Sequence, residues 1–474
     1  MSFTPNDDLL AALPAYTATC CHVVEDGSMR QKAAEAAAKS HTEYYCITAQ
    51  KVCQFTKLLY IMNIYLARQE EKSMIERKEY FEKLIGYKDK KLIKVITGVR
   101  RCGKSTLFKM FQEYLLENGV QKNQIIAVNF EDYEFDELKD PKVLYQYILE
   151  RLLPDRMAYI FLDEIQNVNE FQKVVDSFFI KDNIDIYLTG SNAYMLSGEL
   201  ATLLSGRYVK IEMLPLSFSE YVQVRGQGKN LDENYQEYIE TSSFPYTLHL
   251  SKDKRQIKEY LTGVYDSILV KDVIARKKIA DVMMLESVIR FLMDNIGNQL
   301  STKKISDTMT SGGRNINVRT VESYVSAFMD SYIVYQAKRY DIKGKQYLKT
   351  LEKYYIVDIG LRNVLLGNQG KDIGHVLENV VYLELIRRGY DVYIGKVDDV
   401  EVDFVVKDEK GTKYIQVAAS VRDENTLARE LRPLQKISDH YPKIIMTLDR
   451  DPVADYEGIR RINALDYFMH KIEI

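Results

Sequence analysis

Residues 98–105 read Gly-Val-Arg-Arg-Cys-Gly-Lys-Ser, with KLIKVIT before them and TLFKMFQEYLLENG after them. The run matches G-x-x-x-x-G-K-[ST] in full, and its flanks have the composition of a buried strand and an amphipathic helix. Glycine at both ends allows the backbone angles that turn successive N–H groups toward an anion. The helix beginning at Lys104 adds the partial positive charge of its first turn. A loop of this kind holds the phosphates of a nucleotide. Lys104 is expected to reach the β- and γ-phosphates and Ser105 to ligate Mg²⁺. Gly98, Gly103 and Thr106 complete the phosphate-contacting set.

A phosphate loop that hydrolyses needs acids opposite it, and YIFLDE at 159–164 supplies them. Asp163 would hold Mg²⁺ through water and Glu164 would polarise the attacking water as general base. A further strand-like run, IYLTGSN at 186–192, ends in polar residues, among them Ser191 and Asn192, which suit a sensor of the γ-phosphate. Arg207 in LLSGRYVKIEM is the candidate arginine finger; acting between subunits, it would require a dimer or ring. Asn129, Glu131 and Asp132 end another strand and add acids nearby. Cys102 lies inside the loop, where the helix N-terminus and Lys104 are expected to lower its thiol pKa.

Strand-like runs at 92–97, 125–130, 159–162, 184–189 and 208–213 alternate with helical patterns, which predicts a mostly parallel sheet covered by helices. The expected domains are a P-loop ATPase domain over 74–225, a helical lid or linker over 226–276, a winged-helix domain over 277–350 and a second α/β domain over 351–474. Residues 1–73 differ from the rest: they hold 11 alanines against 13 in the remaining 401 residues, and four of the five cysteines. They are read as an atypical, dispensable N-terminal extension.

The 474 residues carry a net charge of −3, so any attraction for nucleic acid must be local. The span 301–350 supplies one, with nine Lys/Arg against four Asp/Glu. Lys303, Lys304, Arg314, Arg319, Lys343 and Lys345 are the candidate phosphate contacts of the winged helix. Five cysteines without zinc spacing fit a reducing cytoplasm, and no apolar stretch suits a membrane span or export signal.

In the C-terminal part, Glu378 lies on a helix, Glu401 and Asp403 open a strand (EVDFVV), and Gln416 lies on the next (YIQVA). This is the layout of PD-(D/E)XK nucleases, in which two carboxylates and a lysine bind Mg²⁺ and activate water. The expected lysine two positions after Gln416 is Ala418, and strand alternation turns Lys413 to the other face. Glu378 and Asp403 are therefore candidate ligands of a vestigial metal site, with catalysis disfavoured.

GVRRCGKST, IFLDEIQ, LTGSNAYMLS, LSGRY and LPLSFSEY, followed by EVDFVV…YIQVA, resemble a prokaryotic AAA-type (STAND-related) ATPase family. Its members end in a domain of unknown function with a restriction-endonuclease-like fold. The resemblance implies an α/β P-loop NTPase that binds and hydrolyses ATP with Mg²⁺. The family carries glycines where this chain has Ser242-Ser243, which makes that turn a point to examine. Three uses of ATP remain open: control of a nucleic-acid grip, control of a protein-binding switch with little turnover, and ATP-dependent DNA cleavage.

Overall fold

The computed structural model describes residues 75–196, 204, 206–225, 228–250, 253–367 and 372–474. The expected extension over 1–73 lies outside them. After helix α1 (Lys78–Tyr87), the chain builds a five-stranded sheet from β1 (Ile93–Thr97), β2 (Ile125–Asn129), β3 (Ala158–Asp163), β4 (Ile184–Gly190) and β5 (Tyr208–Glu212). The order is β2-β3-β4-β1-β5 and every pairing is parallel. Helices α2 (Lys104–Glu117), α3 (Pro141–Leu149) and α4 (Phe171–Phe179) connect the earlier strands, as parallel pairing demands. All five expected strands are present to within a residue or two.

Strand alternation divides this sheet between two cores. Ile93, Val95, Ile160, Leu162, Ile186 and Leu188 face one core with α3 and α4. Ile96, Tyr159, Phe161 and Tyr187 face a larger core that continues through the helical region into the C-terminal sheet. Phe161 and Tyr187 stack there at 4.7 Å.

Helices lead into the span 226–276 and occupy much of it. Helices α5 (Phe218–Arg225), α6 (Leu231–Thr241) and α7 (Lys254–Ser267) bury Tyr221, Tyr235, Tyr238, Ile257 and Leu261 in the larger core. Helix α7 runs on through a π-helical stretch, Ile268–Ile274, into the turn Ala275–Lys277. The middle region then has α8 (Val282–Asp294), the short strand β6 (Gln299–Leu300), α9 (Thr302–Ser311, capped by Ser301) and α10 (Val318–Asp330). The hairpin of β7 (Val334–Asp341) and β8 (Gln346–Ile356) follows.

The boundary expected at 350/351 falls inside β8. The hairpin is also no free wing, because β7 pairs in parallel with β9 (Asp391–Val397). One nine-stranded sheet therefore runs β13-β14-β12-β11-β10-β9-β7-β8-β6. It includes β10 (Val400–Asp408), β11 (Gly411–Val417), β12 (Lys443–Thr447), β13 (Ala454–Tyr456) and β14 (Ile459–Asn463). Helices α11 (Ile359–Leu366), α12 (Ile373–Arg387), α13 (Glu424–Gln435) and α14 (Ala464–Phe468) complete this part.

Ser242-Ser243 proves to be a joint. Ser243 donates its N–H and its hydroxyl to Asp358 Oδ2, both at 2.7 Å, and Ser242 Oγ donates to Oδ1 at 3.1 Å. The same Asp358 caps α11 through Leu361 N–H. Ser242 has φ 166°, extended backbone that needs no glycine. Glycine is required instead at Gly360, where a Cβ would lie 2.1 Å from the Thr241 carbonyl oxygen.

Lys94 on β1 is fully buried and forms an ion pair with buried Asp185 on β4. Asp185 also accepts from Tyr187 Oη at 2.8 Å and Asp89 N–H at 2.9 Å. Asp185→Ala strands the ammonium in the core and should destabilise the chain by about 3–5 kcal/mol in urea denaturation. The apolar double replacement Lys94→Met/Asp185→Leu should recover most of that loss.

Candidate nucleotide site

The parallel sheet brings the carboxyl ends of β1, β3 and β4 together, where ligands of such sheets bind. The loop 98–103 leaves β1 with Gly98 at φ 148° and Gly103 at φ 106°. A Cβ on Gly98 would lie 2.1 Å from the Met213 carbonyl oxygen, so no other residue fits there. Lys104 opens α2 and is buried, its Nζ donating to the carbonyls of Gly98 (3.0 Å) and Val99 (3.3 Å), with Glu164 Oε1 at 3.6 Å. Ser105 and Thr106 sit exposed in the same first turn.

Asp163 ends β3 and accepts from the hydroxyl of Thr189 on β4, and nearby Ser105 favours its ionised form. Thr189 Oγ1 in turn accepts from the Glu164 N–H at 2.9 Å. One threonine thus locks the two adjacent strand ends. Glu164 holds φ 54° and accepts from Gln166 Nε2. Burial opposes ionisation of Glu164, but the nearby Lys104 and Arg100 outweigh it and hold its pKa below the usual range. Burial pushes the Asp163 carboxyl up. For Lys104, burial is likewise opposed by Glu164 and Asp163, and the ammonium is held above its ordinary value.

Ser191 and Asn192 follow β4 and lie buried in the same cluster. Arg100, which sequence reasoning passed over, joins them. It donates from Nε and Nη2 to both oxygens of Asp272 (2.9 and 3.2 Å) and pairs with Glu131. Asp272 was missed as well, although an acid inside the apolar run ILVKDVI was a signal. The turn Ser242–Pro245 and Arg77 flank the loop from outside. Pro245 lies 3.8 Å from the Cβ position of Gly103, and Arg77 Nη1 donates to the Cys102 carbonyl at 2.9 Å.

Arg207 lies away from the loop of its own chain, and the Cys102 thiol is not lowered as expected. Arg207 precedes β5, and its carbonyl accepts from Ile93 N–H at 2.9 Å, beside the start of β1. The phosphate loop follows the other end of that strand, about 16 Å away. The Arg207 side chain pairs with Asp176 and lies over Phe179, so it is no arginine finger within its own chain. Cys102 is fully buried, and burial pushes its thiol up despite Lys104 and Arg77 nearby.

The C-terminal acids form a second cluster. Lys353 on β8 places Nζ 2.8 Å from Glu378 Oε1, 2.6 Å from Glu401 Oε1 and 3.4 Å from Asp403 Oδ1. Tyr355 Oη donates to Glu378 at 2.6 Å and Val417 N–H to Asp403 at 2.9 Å. Gln416 accepts from Asp403 N–H and donates to Glu430 at 2.8 Å. A lysine is therefore present, supplied from β8 rather than β11. It occupies the point on which the acids converge. Glu378 and Asp403, the expected ligand pair, do come together, and both pair with Lys353; among the described residues no group of three or more His, Cys, Asp and Glu is arranged to hold a metal ion.

The basic residues expected to meet nucleic acid are all exposed. Arg314 is engaged with Met283 O at 3.2 Å and with Ser287, and Lys343 with Asp398 at 2.7 Å. Among the described residues no helix is long and apolar enough to cross a membrane.

Residues 90–222 match the family model of an AAA domain, and residues 232–372 match a domain of unknown function, DUF8612. The second match extends through the hairpin into the C-terminal region, across the boundaries expected at 276 and 350. An uncharacterized protein of Haemophilus influenzae is 40% identical over 402 residues, spanning 84% of this chain and 99% of its own length. An uncharacterized protein of Methanocaldococcus jannaschii is 30% identical over 407 residues, covering 81% of this chain and 86% of that one. Among solved structures, a Walker-type ATPase of Pyrococcus abyssi is similar at a TM-score of 0.43 and 14% identity, over 62% of this chain and 96% of that one. That likeness is too distant to bear on function.

The Lys353 cluster has a pH signature. Burial pushes the Asp403 carboxyl up to about 7, Lys353 opposing and Glu378 reinforcing the shift. A carboxyl whose pKa is higher folded than unfolded lends stability at low pH that is lost as pH rises through its folded pKa. Asp403→Asn should therefore shrink the drop in melting temperature between about pH 4 and about pH 7, measured by thermal denaturation beside the unaltered chain.

Proposed function

The chain belongs to the same family as its Haemophilus influenzae and Methanocaldococcus jannaschii relatives, and we propose that its AAA domain binds ATP with Mg²⁺ and hydrolyses it to ADP and phosphate. The observation that carries this reading is the convergence of Lys104, Ser105, Asp163, Glu164 and Thr189 at three adjacent strand ends. Loop N–H groups, the first turn of α2 and the Lys104 ammonium offer a cradle for the β- and γ-phosphates. Ser105 and Asp163 are neighbours and hard oxygen donors of the kind Mg²⁺ takes. Mg²⁺, when bound, neutralises charge on the phosphate oxygens.

Glu164, kept ionised by Lys104 and Arg100, is the base that accepts a proton from the attacking water. The water oxygen bonds to the γ-phosphorus while the bond from that phosphorus to the ADP oxygen breaks. Burial of Glu164 and Asp163 keeps bulk water from weakening these charges.

The hydrolysis cycle drives the helical and C-terminal parts, which share the larger core with α2 and the lid helices. The Lys353 cluster joins β8, β10 and α12, so that these parts respond as one body. We read the cluster as a structural ion-pair joint, which favours a nucleotide-controlled grip over ATP-dependent DNA cleavage. Exposed Lys303, Lys304, Arg319 and Lys345 support nucleic acid as the partner; a protein partner is the competing reading.

Lys104→Ala should abolish ATP binding in an equilibrium assay. Glu164→Gln should bind ATP but lose turnover by about 100-fold or more. If Glu164→Gln hydrolyses at the normal rate, the base assignment fails. Duplex DNA should raise the ATPase rate in a salt-dependent way, and indifference to DNA would turn the partner reading to protein.

A further inference from the structure

The phosphate end of the site already holds an anionic side chain from a distant part of the chain. Asp272 lies in the π-helical stretch Ile268–Ile274, 172 positions from Arg100, and its carboxylate is buried. Oδ2 accepts from Arg100 Nε at 2.9 Å, and Oδ1 accepts from Arg100 Nη2 and Ser191 Oγ, both at 3.2 Å. Asn192 Nδ2 donates to the Asp272 backbone carbonyl at 3.3 Å, and Arg276 Nη2 stands 4.0 Å from Oδ1. Gln166 Nε2 bridges Ser191 Oγ, at 3.4 Å, to Glu164. The Asp272 carboxylate is thus three hydrogen bonds from Glu164, through Ser191 and Gln166, and takes its donors from the strand end that would sense the γ-phosphate.

The backbone around Asp272 is also unusual. π-Helical turns are rare and tend to occur at functional sites, because the wider turn strains the backbone ladder while redirecting a side chain. Here the π stretch buries Asp272 while leaving the two residues before it, Val270 and Lys271, exposed. Lys271 reaches Glu131 at 3.5 Å, so the helix is tied at two points to the residues around the loop.

We propose that Asp272 is an internal stand-in for the γ-phosphate: it holds Arg100 and Ser191 until ATP takes them, so ATP, but not ADP, releases the turn 268–277 from the site. The inference rests on the nucleotide reading above. A carboxylate and a terminal phosphate are both anionic acceptors suited to a guanidinium fork, and one fork cannot serve both. ADP lacks the γ-phosphate and has nothing to offer Arg100 at that point. The released turn leads directly into α8, whose buried face belongs to the core shared with the C-terminal part. Loss of Asp272 from the site is therefore a route by which γ-phosphate occupancy reaches the rest of the chain. Arg100, freed, becomes a positioning residue for the γ-phosphate, the role that Arg207 does not fill in its own chain.

The test compares affinities of the full chain for ATPγS and ADP, each with Mg²⁺, with Lys104→Ala as the control for site occupancy. Asp272→Asn keeps the shape but gives up the charge. It should raise the preference for ATPγS over ADP by about tenfold, the loss of one charge-assisted contact from the competing state. In the unaltered chain, backbone amide exchange over 268–277 should rise with ATPγS and stay unchanged with ADP, a readout that needs no variant to fold. If the unaltered chain binds neither nucleotide, the nucleotide reading falls and this inference with it. If both bind through Lys104 but Asp272→Asn shifts them equally or weakens ATPγS, only the stand-in role is overturned. Equal exchange over 268–277 with the two nucleotides overturns it as well.

Discussion

Charge that is taken out of water must be matched by opposite charge, and that constraint organises this molecule at every point where its chemistry lies. Arg100, Lys104, Asp163, Glu164 and Asp272 are all buried at the carboxyl ends of β1, β3 and β4. None could remain ionised there alone, because the desolvation of an isolated ion amounts to several kcal/mol or more. They are stable as a network, each cation facing an acid, with Thr189, Ser191 and Gln166 filling the remaining hydrogen bonds. A site built this way can exchange one anion for another without leaving a buried charge bare. That property suits a place where a phosphate must come and go.

The same constraint operates in the C-terminal part with a different result. Three carboxylates from α12 and β10 meet one ammonium from β8, and burial leaves Asp403 with a raised pKa. Because the lysine comes from the hairpin and the acids from elements beyond it, the cluster is a joint across what the chain pattern divides into two domains. The parallel pairing of β7 with β9 makes the same connection through the backbone. Asp358, gripping Ser242 and Ser243 while capping α11, connects the lid helices to this part in turn.

Much of the AAA domain was legible because its signals are local. Each of the five parallel strands is an apolar run bounded by turns, and the phosphate loop is one contiguous motif between a strand and a helix. Asp163 and Glu164 could be assigned because they end such a strand. Arg207 could not be placed, because an arginine in a loop has no local mark telling which end of the sheet it occupies. The boundary at 350 misled because a strand's partner lies outside its own sequence: β8 looks like half of an isolated hairpin until β7 is seen to pair with β9.

What the sequence determined by itself was therefore the candidate phosphate-binding machinery, since a backbone cradle needs glycines, lysine and serine in fixed succession, with an acid-tipped strand beside them. Only the tertiary structure decided which distant charges complete that machinery. Asp272 reaches Arg100 from 172 positions away, and Lys353 meets acids on a helix and a strand that follow it. Nothing in the neighbourhood of either residue specifies its partner, because the pairing is set by the energetic demand for neutrality in a buried space that exists only once the chain has folded.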